Sequence, residues 1–253
     1  MLNASRRYVA GLAVLVACLG VAGFSSRATI GAAGGCGTSK LVEEVSIAKL
    51  HTCARLRDGG VKCWGINGNG QVGDGTRKHR ASPTLVTGLC GITSVSTGGE
   101  STCVSVDEGS VRCWGLGFAD APVEILGTGP VVRVAMSQIQ ACGLRANGSV
   151  VCWGPPTEDR RPPWTIAITD VTRLVGSKGK VSQFFARRAD GSIWHWVGSD
   201  APAHIPMAPA RDLSCGIETC CALLEDASIT CWDPEDPLPA VVPGLSDIGP
   251  YGL

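Results

Sequence analysis

The sequence predicts an all-β fold, a β-propeller of about five blades whose hairpins are closed by disulfides. Three observations support this prediction: one frame of residues recurs five times, every copy contains a hairpin turn signal, and four copies carry a cysteine pair at the same spacing. The tryptophans that end the copies stand 50, 39, 43 and 36 residues apart. A repeating unit of about 40 residues built from short strands is typical of a propeller blade.

The first copy runs from Cys53 to Gly65. The later copies begin at Cys103, Cys142, Phe185 and Cys221. Each copy places an acidic residue or Asn before Gly, or before Ala in the last copy, and then a β-branched residue and Trp. An Asp-Gly or Asn-Gly pair between apolar residues indicates a hairpin, because Gly tolerates the positive φ of a tight turn.

The turn also predicts the register of the hairpin. A three-residue loop that ends at Gly59 places Leu56 opposite Gly60, and counting outward then places Cys53 opposite Cys63. This is a non-hydrogen-bonded pair with Cα atoms about 4.5 Å apart, which a disulfide tolerates. We therefore predict four hairpin disulfides: Cys53–Cys63, Cys103–Cys113, Cys142–Cys152 and Cys221–Cys231.

The fourth copy supports the disulfide interpretation, because Phe185 and His195 replace both cysteines together. Zinc sites favour cysteines separated by about two to four residues, and none of the four predicted hairpin pairs has this spacing. We predict no metal and no cofactor. Four cysteines lie outside the hairpins and permit three pairings; they are Cys36, Cys90, Cys215 and Cys220.

Residues 1–24 have the pattern of a secretory signal peptide. Arg6 and Arg7 precede an apolar run from Tyr8 to Phe24, as in a signal sequence. Thirteen cysteines also suit an oxidising compartment. We expect a secreted or cell-envelope protein, either periplasmic or an outer-membrane lipoprotein.

Three fates of this segment stay open. The stretch Leu15 to Cys18 resembles a bacterial lipobox, in which case the signal ends at residue 17 and Cys18 is lipidated. Ordinary cleavage after Ala22 or Ala28 is the second alternative. The apolar run of 17 residues is also at the lower limit of a membrane span, so an uncleaved anchor is the third.

Residues 25–40 are mostly small and polar, and we expect a flexible tether there. Residues 41–253 form the predicted repeat domain. An apolar extended segment precedes each hairpin, and a polar loop with a second extended segment follows each Trp, which gives three or four strands per copy. We find no amphipathic helix pattern. The in-frame tryptophans are predicted to be structural and to fill space against the next blade.

The segment from Gly65 to Thr76, which follows His51-Thr-Cys53, is rich in Gly and Asn. It resembles the repeat of the regulator-of-chromosome-condensation family, in a secreted, cysteine-rich bacterial form. The later copies lack this insert but keep the hairpin, so the resemblance extends over residues 41–253. It implies a ring of blades, usually seven. With five copies and the start of a sixth at residues 245–249, we expect a closed five-bladed ring; an open or partner-completed arc is the alternative.

Charge and motifs exclude several functions. The chain has 22 acidic and 22 basic residues, so no net field attracts nucleic acid, and we expect membrane contact only through an N-terminal lipid anchor. The four histidines lie in unlike contexts, and no catalytic constellation emerges. The Gly-rich segment lacks the Lys-Ser/Thr of a phosphate loop. We therefore expect no enzyme, although a propeller lyase or hydrolase stays as an alternative.

The loops after each Trp differ completely between copies, and equivalent loops of a propeller emerge on one face. We therefore predict an extracytoplasmic protein-binding scaffold, monomeric and without catalysis, with a protein partner of unknown identity. Inhibition of a secreted enzyme is a specific alternative; nucleotide exchange on a small GTPase fits a secreted chain poorly. The predicted partner contacts are Arg77, Lys78, Arg80, Arg160, Arg161 and Trp164.

Overall fold

The computed structural model describes residues 35–155 and 162–245. Within these ranges the chain forms twenty strands in five four-stranded antiparallel sheets, and no helix. Each sheet is built from consecutive strands, as in the blades of a propeller. The predicted all-β class and the five blades are confirmed. The predicted signal peptide, Cys18 and most of the tether lie outside the described residues.

The strands follow one another along the chain. Sheet 1 contains β1 (Val42–Ile47), β2 (His51–Leu56), β3 (Val61–Gly65) and β4 (Arg80–Leu85). Sheet 2 contains β5 (Ile92–Thr97), β6 (Ser101–Val106), β7 (Val111–Gly115) and β8 (Val123–Glu124). Sheet 3 contains β9 (Arg133–Met136), β10 (Ala141–Leu144), β11 (Val150–Trp153) and β12 (Trp164–Ile166). Sheet 4 contains β13 (Val171–Gly176), β14 (Gln183–Arg188), β15 (Ile193–Val197) and β16 (Ala203–Ile205). Sheet 5 contains β17 (Ala210–Cys215), β18 (Cys220–Leu224), β19 (Ile229–Asp233) and β20 (Asp236–Val241).

The hairpin between the second and third strands has the register that its turn predicts. Cys53 pairs with Cys63 across β2 and β3, and the Leu56 N–H donates to the Gly60 carbonyl at 2.8 Å. Gly59 has a φ of 77°, the left-handed conformation that the three-residue loop requires. In the fifth copy Ala227 holds the same position with a φ of 66°, a conformation that is costly for a residue with a Cβ atom.

The hydrophobic core consists of separate layers between consecutive sheets. Among the described residues there are four buried clusters, which join sheets 1 and 2, 2 and 3, 3 and 4, and 4 and 5. Trp114 of sheet 2 belongs to the cluster that it shares with Val61 and Val86 of sheet 1. The expectation that each Trp packs against the next blade is therefore wrong. The Trp side chain, at the end of the third strand, points to the face of its sheet that packs against the preceding sheet.

The described residues form an open arc. No buried cluster in residues 35–155 and 162–245 joins sheet 5 to sheet 1. Val42 and Val45 of β1 are exposed, whereas Ile92 and Val95 at the same positions of β5 are buried. Within these ranges the outer faces of the two terminal sheets have no apolar layer between them. The expected closure of a five-bladed ring relies on residues 245–249 and stays a prediction. Residues 246–253, the start of the sixth copy, lie outside the description.

Candidate functional site

A cavity of about 480 Å³ opens at one end of the sheets. It lies where the loops between first and second strands emerge, together with the loop between β19 and β20. Antiparallel order places these two kinds of loop at the same end of each sheet. All five sheets contribute to the lining, through side chains that include Lys49, Glu100, Gln138, Lys178 and Glu218. Because loops of all five sheets converge on this concave site, it is the candidate binding site.

Lys178 is the main electrostatic feature of the cavity. It follows β13, and its Nζ donates to the Met136 carbonyl at 2.9 Å and to the Thr97 carbonyl. Burial lowers the pKa of this ammonium from 10.5 to about 7, because the charged form is poorly solvated there. No carboxylate of the described chain lies within ion-pair distance of it. The charged form of Lys178 is therefore stabilised by main-chain carbonyl dipoles alone among its described contacts.

His51 lies at the start of β2 and is buried. Its Nε2 and the hydroxyl of Thr102 are 2.7 Å apart and share a hydrogen bond. Burial, and secondly the charge of Lys178, lower the pKa of His51 to about 4. The imidazole is therefore neutral at physiological pH, and its hydrogen bond joins sheet 1 to sheet 2.

The acidic side chains around the cavity are dispersed. Glu100 accepts a hydrogen bond from the amide of Asn69 at 2.6 Å, and Asp233 accepts one from the Glu235 N–H at 2.8 Å. Nowhere in residues 35–155 and 162–245 do three His, Cys, Asp or Glu side chains converge on a point that could hold a metal ion. The geometry provides separate polar and charged contacts for a ligand.

The Gly-rich segment after β3 connects two sheets. The buried Asn67 accepts a hydrogen bond from the Val72 N–H at 2.8 Å and donates to the carbonyls of Thr76 and Lys78. The Gln71 carbonyl accepts from Trp114 Nε1 at 2.9 Å. This network orients the loop towards sheet 2. The role of the Gly-rich segment is thus to connect the two sheets, and no phosphate ligand is needed to explain it.

Two of the three predicted contacts in the basic cluster are neutralised. Arg77 forms an ion pair with Asp120, with Nε 3.1 Å from Oδ2, and Arg80 pairs with Asp74. Lys78 is exposed and has no ion-pair partner in the described part of the chain. The sequence pattern could not show the pair of Arg77 with Asp120, because Asp120 belongs to the loop of the next copy.

The remaining predicted contacts lie apart from this cluster. Arg160 and Arg161 are outside the described residues. Trp164 begins β12 opposite Cys152 and is partly buried. It packs against the core between sheets 3 and 4, so much of its ring is already in contact with the protein. Trp194, the other tryptophan outside the frame, packs against the same cluster.

The cysteines lie in pairs. The four predicted pairs have Cα–Cα distances of 4.1, 4.1, 3.9 and 4.1 Å. Two further disulfides, Cys36–Cys90 and Cys215–Cys220, join the cysteines that the sequence left unpaired. Cys215 faces Cys220 across β17 and β18, and the five-residue spacing across a short loop could have indicated this pair.

Comparison with known proteins supports the resemblance seen in the sequence. Residues 45–71 match the family model of the regulator of chromosome condensation (RCC1) repeat. The matched segment begins in β1 and ends at Gln71 in the Gly-rich loop, so it contains the contacts that join sheets 1 and 2.

Solved structures show the same fold. Human WBSCR16 is 18% identical with a TM-score of 0.66, over 79% of this chain and 67% of that one. A structure of yeast RCC1 (Prp20) with Kap60 is 16% identical with a TM-score of 0.67, over 81% and 64%. The ectodomain of the Arabidopsis thaliana receptor kinase ACR4 is 24% identical with a TM-score of 0.51, over 80% and 66%. The chain thus spans about two thirds of the length of these relatives, and the RCC1 repeat continues into a propeller of the same type.

Proposed function

We propose that this RCC1-like chain is an extracytoplasmic scaffold that binds a protein partner at the loop face and catalyses no reaction. The observation that carries the proposal is the cavity to which all five sheets contribute loops. The hairpins repeat one frame, whereas the loops around the cavity differ in length and charge. Varied loops on a rigid scaffold are the usual origin of a specific binding surface.

The cysteines support the proposed compartment. Six disulfides join all twelve cysteines of the described residues. Such a set persists in an oxidising environment and is rare in a reducing cytosol. No helix in the described part of the chain is long and apolar enough to cross a membrane. Export through residues 1–24, and lipidation at Cys18, are part of the proposal.

Related structures support a protein partner as the ligand. One of them contains Kap60 bound to yeast RCC1 (Prp20), and Prp20p is described with its binding properties to Gsp1p and histones. For this chain we propose a different partner, because its loop face carries its own set of charged side chains. In keeping with the proposed compartment, this partner is extracytoplasmic. Of the predicted contacts, Lys78 is the best placed to meet it; Arg160 and Arg161 belong to the same proposal.

A matched pair of charge reversals tests the proposed face. Glu218→Lys changes an exposed side chain that lines the cavity. Glu108→Lys makes the same change at an exposed hairpin turn at the opposite end of the sheets. We expect affinity capture from a cell-envelope extract to lose its partner with Glu218→Lys and to keep it with Glu108→Lys, at equal melting temperatures. Equal capture by the two variants would contradict the assignment of the site.

A further inference from the structure

Each internal interface of the arc is built from two complementary halves. The outgoing half of a sheet presents its hairpin cysteines and the β-branched residue of its third strand, such as Cys63 and Val61 in sheet 1. The incoming half of the next sheet presents apolar residues of its first strand and its Trp, such as Val95 and Trp114. Sheet 4 carries Phe185 in place of a hairpin cysteine, and with this one change the chain makes the combination four times, so the two halves are complementary to each other.

Sheet 1 displays an incoming half with no partner among the described residues. Val42, Val45 and Ile47 are 51%, 53% and 68% exposed. Ile92 and Val95, which match the two valines in sheet 2, are each 3% exposed. Three apolar side chains on one strand face thus remain in water, which is unusual for a face that buries its equivalents in every other sheet.

Sheet 5 displays the corresponding outgoing half. Cys221 and Cys231 are partly exposed, whereas the cysteines of the other three hairpins are buried. Leu245, which follows β20, is 47% exposed, and Leu89 at the same position after β4 is 6% exposed. The end of the arc therefore presents the surface on which an incoming half normally packs.

A repeated polar contact gives the two halves a fixed register. The Ser46 hydroxyl of sheet 1 accepts a hydrogen bond from the Thr97 N–H of sheet 2 at 2.9 Å. The Ser96 hydroxyl of sheet 2 accepts one from the Met136 N–H of sheet 3, also at 2.9 Å. At the end of the arc Ser214 holds the same strand position and is exposed. Ile47 is the residue of sheet 1 that corresponds to Thr97.

We propose that a second copy of this chain docks head to tail, with sheet 1 of one copy packed on sheet 5 of the other. In this interface the hydroxyl of Ser214 accepts a hydrogen bond from the Ile47 N–H of the second copy, and Val42, Val45 and Ile47 become buried. The occupant is a second copy because the same molecule carries both halves of an interface that it forms four times internally. The contact is heterologous, so it extends into a chain of copies or closes into a larger ring. It replaces the monomer expected from the sequence and is independent of the proposed loop-face partner.

Charged substitutions at each end test the interface. Ile47→Glu blocks the sheet 1 end and Leu245→Glu blocks the sheet 5 end, and both residues are exposed, so the fold should tolerate the changes. Leu126→Glu is the control, because Leu126 is 75% exposed but lies outside both ends. In sedimentation and light scattering we expect the wild-type chain and the control to associate as concentration rises, and each end variant alone to stay at the mass of one chain.

Mixing the two end variants separates this interface from other modes of association. The Ile47→Glu chain keeps a free sheet 5 end and the Leu245→Glu chain keeps a free sheet 1 end. An equimolar mixture should therefore give a complex of two chains that does not grow further. A wild-type chain of single-copy mass at every concentration overturns the proposal, as does failure of the mixture to pair, or association of either end variant alone. A single-copy mass with slow hydrogen exchange at Val45 would show closure within one chain instead.

Discussion

Trp114 Nε1 donates a hydrogen bond of 2.9 Å to the main-chain carbonyl of Gln71, forty-three residues earlier and in the preceding sheet. The same carbonyl accepts a hydrogen bond from the Thr102 hydroxyl at 3.1 Å. A single peptide group of the RCC1 repeat thus satisfies two buried donors of sheet 2. Since an unpaired buried donor is costly, the Gly-rich loop stabilises the packing of the first two sheets.

Gly73 is predicted to be intolerant of a side chain. Its φ is 78°, and a Cβ atom there would lie 2.5 Å from Trp114 Nε1. Gly75 has a φ of 76° but open space around it. The left-handed backbone should cost Gly75→Ala about 1–2 kcal/mol, and Gly73→Ala should lose about 1–3 kcal/mol more because Trp114 must move. Denaturant unfolding of both variants measures the difference, and equal losses would show that the clash is relieved without cost.

The tryptophans are predicted to differ in their contribution to stability. Trp114 is fully buried between sheets 1 and 2, whereas Trp64, its equivalent in sheet 1, is partly exposed. Truncation of a buried aromatic residue costs about 3–5 kcal/mol. We expect Trp114→Ala to lower the free energy of unfolding by that amount and Trp64→Ala to lower it by clearly less. Similar losses in denaturant titrations would indicate that the sheet 1 face is covered in solution.

Removal of a hairpin disulfide is predicted to cost more inside the arc than at its end. Each hairpin bridge closes a loop of about ten residues, which corresponds to roughly 2–3 kcal/mol in the chain-entropy model. Double Ala variants of Cys53–Cys63 and of Cys221–Cys231 share this entropic loss. The first pair is fully buried, so its variant should also lose packing energy. Thermal unfolding with the other bridges intact provides the comparison, and a larger loss at the second pair would refute it.

The local structure could be predicted from the sequence because a few residues determine it. The Asp-Gly turn fixes the loop conformation, and the loop length then fixes which cysteines face each other. The same reasoning explains the fourth copy, where Phe185 and His195 occupy the paired positions and stack with ring centroids 6.0 Å apart. These are short-range relationships within one hairpin.

Relationships between copies could not be predicted in the same way. The ion pair of Arg77 with Asp120 joins loops 43 residues apart, and the carbonyl contacts of Lys178 reach two other sheets. Such contacts depend on the angle between consecutive sheets, which no local pattern encodes. For the same reason the repeat count predicts the number of blades but does not determine whether the terminal sheets pack on each other.

The stability of the protein is predicted to rise with pH through the titration of Lys178. Its pKa is about 7 in the folded chain, against 10.5 for the free side chain, so the unfolded state binds more protons between these values. The free energy of unfolding should therefore increase from about pH 7 to pH 10.5, by on the order of a few kcal/mol. Because the Lys178 side chain is partly exposed, solvent screening makes this increase smaller.

Lys178→Met should remove this slope, because the variant has no ammonium to transfer from water into the cavity. Lys180→Met, at an exposed neighbour of the same loop, should retain it. Urea unfolding across this pH range measures the slope, and a pH dependence shared by both variants would exclude Lys178 as its origin.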